Sequence, residues 1–368
     1  MTRLVIDARL AGHSGIGTYL EAMLPRVVPR LAAWRPVVLT GTGNRDALKQ
    51  RLGHDADVRV WDVAPLSVGD LWSVPPAVEP GDLLWTPHFN VPLRGACALA
   101  VTLHDLLPLT APAFAGRGRS LPVRAWVRAM RKRARVVLCD SEFTRGEALR
   151  LGGLDPARVD VVPLGVNPEW LAAGIGGSPT TGDPAGPPTM IFVGLLKPHK
   201  NVLRLLRAFA RVRDDIPHRL VLVARHRGVR HIDEAALALA AQLAPRVELV
   251  HDLPLPELIA RVRSAQFAVQ PSLHEGFGLP ALEAMAAGTP VLAGRAGALP
   301  EVCGDAACYC DPESEDDIVR TLLLLAGDAA LRTRLAAAGR IRARAFSWDA
   351  CAEATATALA ACLSDLRG

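Results

Sequence analysis

The sequence predicts an α/β protein built from two Rossmann-like, doubly wound parallel-sheet domains, and three observations carry that expectation. Short apolar runs alternate with amphipathic stretches along most of the chain, the pattern of strands joined by crossover helices. One segment, LAAGIGGSPTTGDPAGPP from Leu171 to Pro188, breaks the alternation with Gly, Pro, Ala and Thr, and the same plan restarts beyond it. The length, 368 residues, exceeds the roughly 250–300 at which a single core stops growing and is comfortable for two. The expected organisation is therefore a first domain over 1–171, a hinge-like connector over 172–188, a second domain over 189–347, and a C-terminal helix over 348–368 that packs back on the first domain. Two similar plans in one chain also imply a central cleft between them, where substrates tend to bind.

In the first half LVIDAR reads as a buried strand, followed by GHSGIGTYLEAMLPRVV as a glycine-rich turn running into an amphipathic helix. PVVLT, DLLWT, LAVTLHD, RVVLCDS and VDVVPLG read as further strands, each ending in polar or glycine residues. In the second half the strands are TMIFVG, HRLVLVAR, RVELVHD, FAVQPS and TPVLAG, with NVLRLLRAFARVR, IDEAALALAAQLA and LPELIARVRSA as helices between them. From Asp316 onward the chain reads as helix, interrupted near Gly327 and Phe346.

Half the residues are hydrophobic and 21% are charged, which is globular rather than disordered. The opening MTRLVIDARLAGHSG reads as neither a signal peptide nor a spanning segment, so none is expected, and no later run reaches about 18 apolar residues. A cytoplasmic protein is expected, with the inner face of the cytoplasmic membrane as the surface it would meet. The seven cysteines form no CxxC pair, so buried reduced thiols are expected rather than zinc sites or structural disulfides.

The net charge of +5 resides in the first half: residues 1–170 hold 21 Lys and Arg against 16 Asp and Glu, while the remainder balances. It is densest in GRGRSLPVRAWVRAMRKRAR, residues 116–135, with eight basic residues, no acid, and Trp126, Val127 and Met130 at helical spacings. Two readings stand, a helix lying on an anionic membrane and a solvated basic face on an ordinary helix, and the second is preferred. Scarce aromatic residues and the lack of a recognised module argue against a nucleic-acid partner.

The chemistry concentrates in HEGFGLPALEAMAAGTPV, His274 to Val291. Gly276 and Gly278 permit a tight turn, Pro280 suits a first helical turn, and Gly288 suits a left-handed cap. Amides of Phe277, Gly278 and Leu279 at this helix start could hold a phosphate, whereas Glu275 and Glu283 are better suited to sugar hydroxyls. The plainer alternative is a pair of acids complementing the helix dipole. GLLKPHKN, Gly194 to Asn201, shifts the balance, because Lys197, His199 and Lys200 beside a second helix start would neutralise a diphosphate. A sugar nucleotide carries both kinds of group.

In the first domain SGIGTY holds Gly15 and Gly17 but not the dinucleotide fingerprint, and no GxxxxGK[ST] occurs, which disfavours nicotinamide enzymes and P-loop ATPases. The turn either admits a ligand or is merely structural. His104 and Asp105 close LAVTLHD at a carboxyl edge, where His104 could touch substrate. Ser141 in SEFTR reads first as a helix cap, with an acceptor-side role as the alternative for it and Asp105.

Taken in order, SGIGTY, LHD, SEFTR, VVPLGV, GLLKPHKN, HEGFGLPALEAMAAGTPV and LPEVCGDAACYCDPES resemble the retaining, nucleotide-sugar-dependent glycosyltransferases of family 4, from about residue 3 to about residue 349. Within that family the chain looks most like the bacterial mannosyltransferases of O-antigen and other surface polysaccharides. The resemblance implies the two-domain GT-B fold, with Glu275 on the donor sugar, Glu283 on the ribose and Lys200 on the diphosphate. It further implies Gly15 and Gly17 lining the catalytic cleft and His104 touching the donor sugar near the acceptor.

GDP-mannose is the favoured donor, with UDP-, ADP- and TDP-sugars as alternatives, and the acceptor is a glycan or lipid-linked saccharide. No cofactor or metal is expected. Many family members carry Arg where this chain has Leu195 or His199, which throws diphosphate binding onto Lys200 and makes His199 a weaker helper. A sugar-nucleotide epimerase, a phosphorylase and a non-catalytic sugar-binding protein are the rival readings.

Overall fold

The computed structural model describes residues 2–75, 77–95, 97–111, 120–175, 186–224 and 232–367. The chain forms two compact units, Met1–Gly165 with Ser347–Gly368, and Val166–Phe346.

The first unit contains a seven-stranded sheet of β1 (Leu4–Asp7), β2 (Val37–Thr40), β3 (Asp57–Val60), β4 (Leu83–Thr86), β5 (Ala98–Leu103), β6 (Ala134–Cys139) and β7 (Val159–Val161), in the order β3-β2-β1-β4-β5-β6-β7. All its pairs are parallel. The interior strands β1, β2 and β4 are buried throughout, because crossover helices cover both faces of such a sheet.

The second unit repeats the plan with β8 (Thr189–Val193), β9 (Arg219–Ala224), β10 (Val247–His251), β11 (Phe267–Gln270), β12 (Val291–Gly294) and β13 (Ala307–Cys310), in the parallel order β10-β9-β8-β11-β12-β13. Each order reverses once, between β1 and β4 and between β8 and β11. Such a reversal leaves a crevice at the carboxyl ends of the strands, the usual ligand site of doubly wound sheets. The expected fold class is borne out in both halves. Two edge strands, β3 and β13, were not anticipated; β3 alternates exposed and buried residues in DVRV and so lacks the continuous apolar run of the central strands.

Two sequence expectations need correction. The passage between units falls at Gly165–Val166, not at 172, because Leu171 to Ile175 close a helix, Pro168–Ile175, that belongs to the second unit. Residues 176–185 of the expected connector lie outside the described residues. The turn expected at Ser14–Tyr19 precedes that stretch, since the helix Ser14–Arg30 already begins at Ser14 and Gly12 supplies the left-handed residue at φ +80°.

The basic segment, of which 116–119 lie outside the described residues, has the charged outer face of an ordinary helix, the reading already preferred. Its helix, Ser120–Arg133, buries Val123, Trp126, Val127, Ala129 and Met130 in the core of the first unit. Each large side chain so buried contributes about 1.5–3 kcal/mol relative to exposure, so this stripe is committed to the core and is not a membrane-inserting face. Outside lie Leu121 at the start of the helix and otherwise mostly charge: Arg124, Arg128, Arg131, Lys132 and Arg135 are exposed. Among the described residues no helix is long and apolar enough to cross a membrane.

The C-terminal helix Trp348–Asp365 lies in the first unit, with the Trp348 ring 6.2 Å from Tyr19 at 63° and Asp349 and Glu353 paired with Arg26 and Arg30.

Candidate active site

In the second unit the loops after β8 and β11 flank the strand-order reversal, and they carry the two groups that sequence analysis had placed on different parts of a ligand. Lys200 ends a short turn, Pro198–Lys200, and Asn201 follows in a left-handed conformation at φ 63° before the helix Val202–Val212. The buried Asn201 amide donates to the Pro271 carbonyl at 3.0 Å and the Pro312 carbonyl at 2.7 Å, tying this loop to those after β11 and β13. The His199 carbonyl accepts from the Leu273 amide at 2.8 Å. Lys200 is thereby aimed at Glu275: its Nζ donates to Oε1 and to Oε2, each at 2.7 Å. Their side chains are 14% and 10% exposed, so the pair is shielded from solvent.

Ser272, fully buried, donates from Oγ to Glu275 Oε1 at 2.8 Å. Burial pushes the Glu275 carboxyl up, but the Lys200 charge and hydrogen bonds, with help from His199 and Ser272, hold it below the ordinary carboxylate range. The Glu275 backbone is clamped from the other side, where its carbonyl accepts from the Ala298 amide at 2.9 Å. Gly297 makes this approach with φ +60°, and a Cβ there would lie 2.5 Å from the Glu275 carbonyl oxygen. Gly297 and Ser272 are support that the sequence did not reveal.

Beyond Glu275, Gly276 is half-buried and Phe277 is buried, its ring edge-on to Phe346 at 5.6 Å. Gly278, at φ +104°, opens the helix Leu279–Ala286, and a Cβ there would meet Leu299 Cδ2 at 2.6 Å. This helix has neither an acid in its first turn nor a side-chain cap. Leu279 is its first residue, and Glu283 sits half-buried one turn in.

The first unit gathers a second cluster at the carboxyl ends of β4, β5 and β6. His104 Nδ1 lies 2.6 Å from Asp140 Oδ2, and the Tyr19 ring packs edge-on against the imidazole at 4.9 Å and 74°. Burial alone would lower the His104 pKa, but the Asp140 charge and hydrogen bond, with Asp105 and the Pro87 carbonyl, raise it overall. His88 is driven the other way by its burial and by neighbouring His104. Sequence analysis named neither Asp140 nor His88.

Asp105 accepts from the Leu107 amide at 3.0 Å. Ser141 is fully buried and caps the helix Glu142–Gly152 by accepting from the Thr144 amide at 3.1 Å, the role placed first for it. Gly15 is exposed with nothing within 4 Å of a would-be Cβ, whereas Gly17 packs on Gly12, whose N would be 3.1 Å from a Cβ. Among the described residues no group of three or more His, Cys, Asp and Glu could hold a metal ion.

Two protein families match the chain: Glycosyl transferases group 1 over residues 179–342 and Glycosyltransferase Family 4 over residues 81–170. The O-antigen chain mannosyltransferase B of Escherichia coli is 30% identical over 285 residues, which cover 74% of this chain and 72% of that protein. The MMP alpha-(1->4)-mannosyltransferase of Mycolicibacterium hassiacum is 34% identical over 248 residues, 63% of this chain and 57% of that one. The D-inositol 3-phosphate glycosyltransferase of Kineococcus radiotolerans is 32% identical over 243 residues, 60% and 55% respectively. The chain thus spans little more than half the length of the last two.

Among solved structures, sucrose-phosphate synthase from Thermosynechococcus elongatus superposes with a TM-score of 0.73 at 18% identity, covering 99% of this chain and 100% of that one. Anabaena HepE in complex with UDP and glucose gives 0.69 at 16% identity, covering 98% and 100%. These two likenesses show the fold.

Proposed function

Because the chain belongs to the family 4 glycosyltransferases, with the GT-B fold, we propose that it moves mannose from GDP-mannose, with retention, onto a hydroxyl of a saccharide or lipid-linked acceptor in surface-polysaccharide synthesis. One observation carries the reading: a shielded Lys200–Glu275 pair, braced by Ser272, stands at the strand-order reversal beside an uncapped helix start. In this reading Lys200 and the amides of the helix start take the diphosphate, Glu275 takes hydroxyls of the transferred sugar, and Glu283 takes the ribose diol. In the first unit His104 is assigned to a sugar hydroxyl. The diphosphate leaves through an oxocarbenium-like state and its oxygen helps to deprotonate the acceptor, so neither a protein nucleophile nor a resident metal is assigned.

The E. coli relative favours mannose and a polysaccharide product, while the Kineococcus relative makes a phosphorylated inositol the acceptor to try second. A lipid-linked acceptor would be approached through the charged face of the helix Ser120–Arg133, since its apolar face lies in the core.

Thermal-shift screening against GDP-, UDP-, ADP- and TDP-sugars tests the donor. A ligand at 100 times its Kd stabilises by about 2.7 kcal/mol, and GDP-mannose is expected to give the largest shift. Glu283→Ala is expected to raise the donor KM roughly tenfold or more, the worth of hydrogen bonds to a charged group. No stabilisation by any nucleotide sugar would sink the reading.

A further inference from the structure

Asp140 is a carboxylate to which the proposed chemistry gives no task. It emerges from β6 next to His104 because β5 and β6 run parallel with Leu103 opposite Cys139, so the residue after each strand arrives at the same edge of the sheet. The aspartate is buried, and its Oδ2 lies 2.6 Å from His104 Nδ1. Tyr19 fixes the plane of the imidazole edge-on, and the Tyr19 hydroxyl is itself 3.2 Å from Thr102 Oγ1 on β5. Among the described residues the other ring nitrogen, Nε2, is buried without a hydrogen-bond partner. A ring pinned at one nitrogen and held flat by an aromatic edge presents the other nitrogen in one direction. An orphaned buried polar atom at the carboxyl edge of a sheet is a place for a ligand atom.

We propose that Asp140 is a positioning residue that acts through His104, holding the ring as an imidazolium whose Nε2–H donates to an oxygen of a sugar bound at this sheet edge. The inference rests on the glycosyltransferase reading and deepens it. The surroundings favour the charged ring. Asp105, next in the chain, adds a second negative charge. His88 is kept neutral by burial. From the C-terminal helix Cys351 faces Asp140, and that thiol is pushed far up by burial, so it adds no charge. Tyr19, fully buried, is likewise held protonated. A neutral imidazole would leave the Asp140 charge uncompensated in the interior, an expensive arrangement.

NMR titration of histidine-labelled protein without added substrate reads the pair directly, with His104→Gln assigning the resonance. The His104 midpoint is expected above the ordinary 6.5 and is expected to fall in Asp140→Asn, where an amide replaces the carboxylate. In the transferase assay Asp140→Asn is expected to lose roughly ten- to a hundredfold in kcat, the worth of a charge-assisted hydrogen bond, and the pH at which activity declines on the alkaline side should move down with the midpoint.

A midpoint at or below the ordinary value in the unaltered protein overturns the proposal, and that measurement stands even where the variant does not fold. A midpoint that falls in the variant while kcat and its pH profile stay put overturns the link to the sugar. Absence of transfer from every nucleotide sugar, with the midpoint elevated and dependent on Asp140, sinks the transferase reading and leaves the pair standing.

Discussion

Replacing Lys200 by methionine removes the cation that neutralises Glu275 while keeping most of the stem's volume. The carboxylate then retains the Ser272 hydrogen bond but loses both 2.7 Å contacts to Nζ. Breaking a buried pair by removing one partner commonly costs about 3–5 kcal/mol. Glu275 has a cheaper route, which is to take up a proton. For a carboxyl with an ordinary value of 4.5, staying neutral at pH 7 costs about 3.4 kcal/mol, at about 1.36 kcal/mol per pH unit. That figure caps the penalty.

The sign follows from the two proteins compared. In the unaltered chain Glu275 sits below its ordinary value and contributes stability above that value, which is lost as the pH falls through its lowered pKa. In the variant burial dominates and the pKa rises, so the penalty is largest at high pH and vanishes near the ordinary value. Urea denaturation followed by circular dichroism should therefore show Lys200→Met losing about 3 kcal/mol near pH 7 and only about 1.4 kcal/mol near pH 5.5. Adding Glu275→Gln should remove the pH dependence. An equal loss at both pH values, or a loss under about 1 kcal/mol at the higher one, refutes the claim that Lys200 neutralises Glu275.

Two further outcomes follow from the first unit. Gly15 has open space around it on the helix Ser14–Arg30, so Gly15→Ala should hold or gain about 0.5–1 kcal/mol while transfer activity falls, because only an arriving ligand needs that space; unchanged transfer removes Gly15 from the site. Reversing Arg124, Arg128 and Arg131 to Glu should abolish salt-sensitive binding to vesicles of anionic lipid without moving the melting temperature, since these side chains are exposed while the stripe beneath them is core; vesicle binding that survives the reversal removes this face as the contact.

What the sequence discloses here depends on how far each residue's meaning is local. LVID and VLAG are buried on both faces, so four successive apolar residues are enough to mark a parallel strand. DVRV and ACYC lie at sheet edges, where one flank faces solvent or a loop, and their mixed composition resembles turn as much as strand. The same locality governs the site. Lys200 and Glu275 can each be singled out because a charged residue beside a helix start at a strand end invites a ligand. Their direct bond joins residues 75 positions apart and exists only because β8 and β11 are neighbours across the reversal.

Asp140 shows the limit more sharply. In LCDSEFTR its place beside a capping serine makes it look like part of the capping turn, and only the pairing of Leu103 with Cys139 turns it toward His104. Charge on the helix Ser120–Arg133 was equally plain to read, but an apolar stripe at helical spacing has the same composition whether it faces lipid or a protein core. The core cluster that Trp126 and Met130 join decides between them, and its members, from Val5 on β1 to Val159 on β7, come from strands spread over the unit. Pairing between distant strands therefore sets the chemistry of the candidate site, so variants that leave the local motifs intact, such as Asp140→Asn and Lys200→Met, probe it more searchingly than changes within a glycine turn.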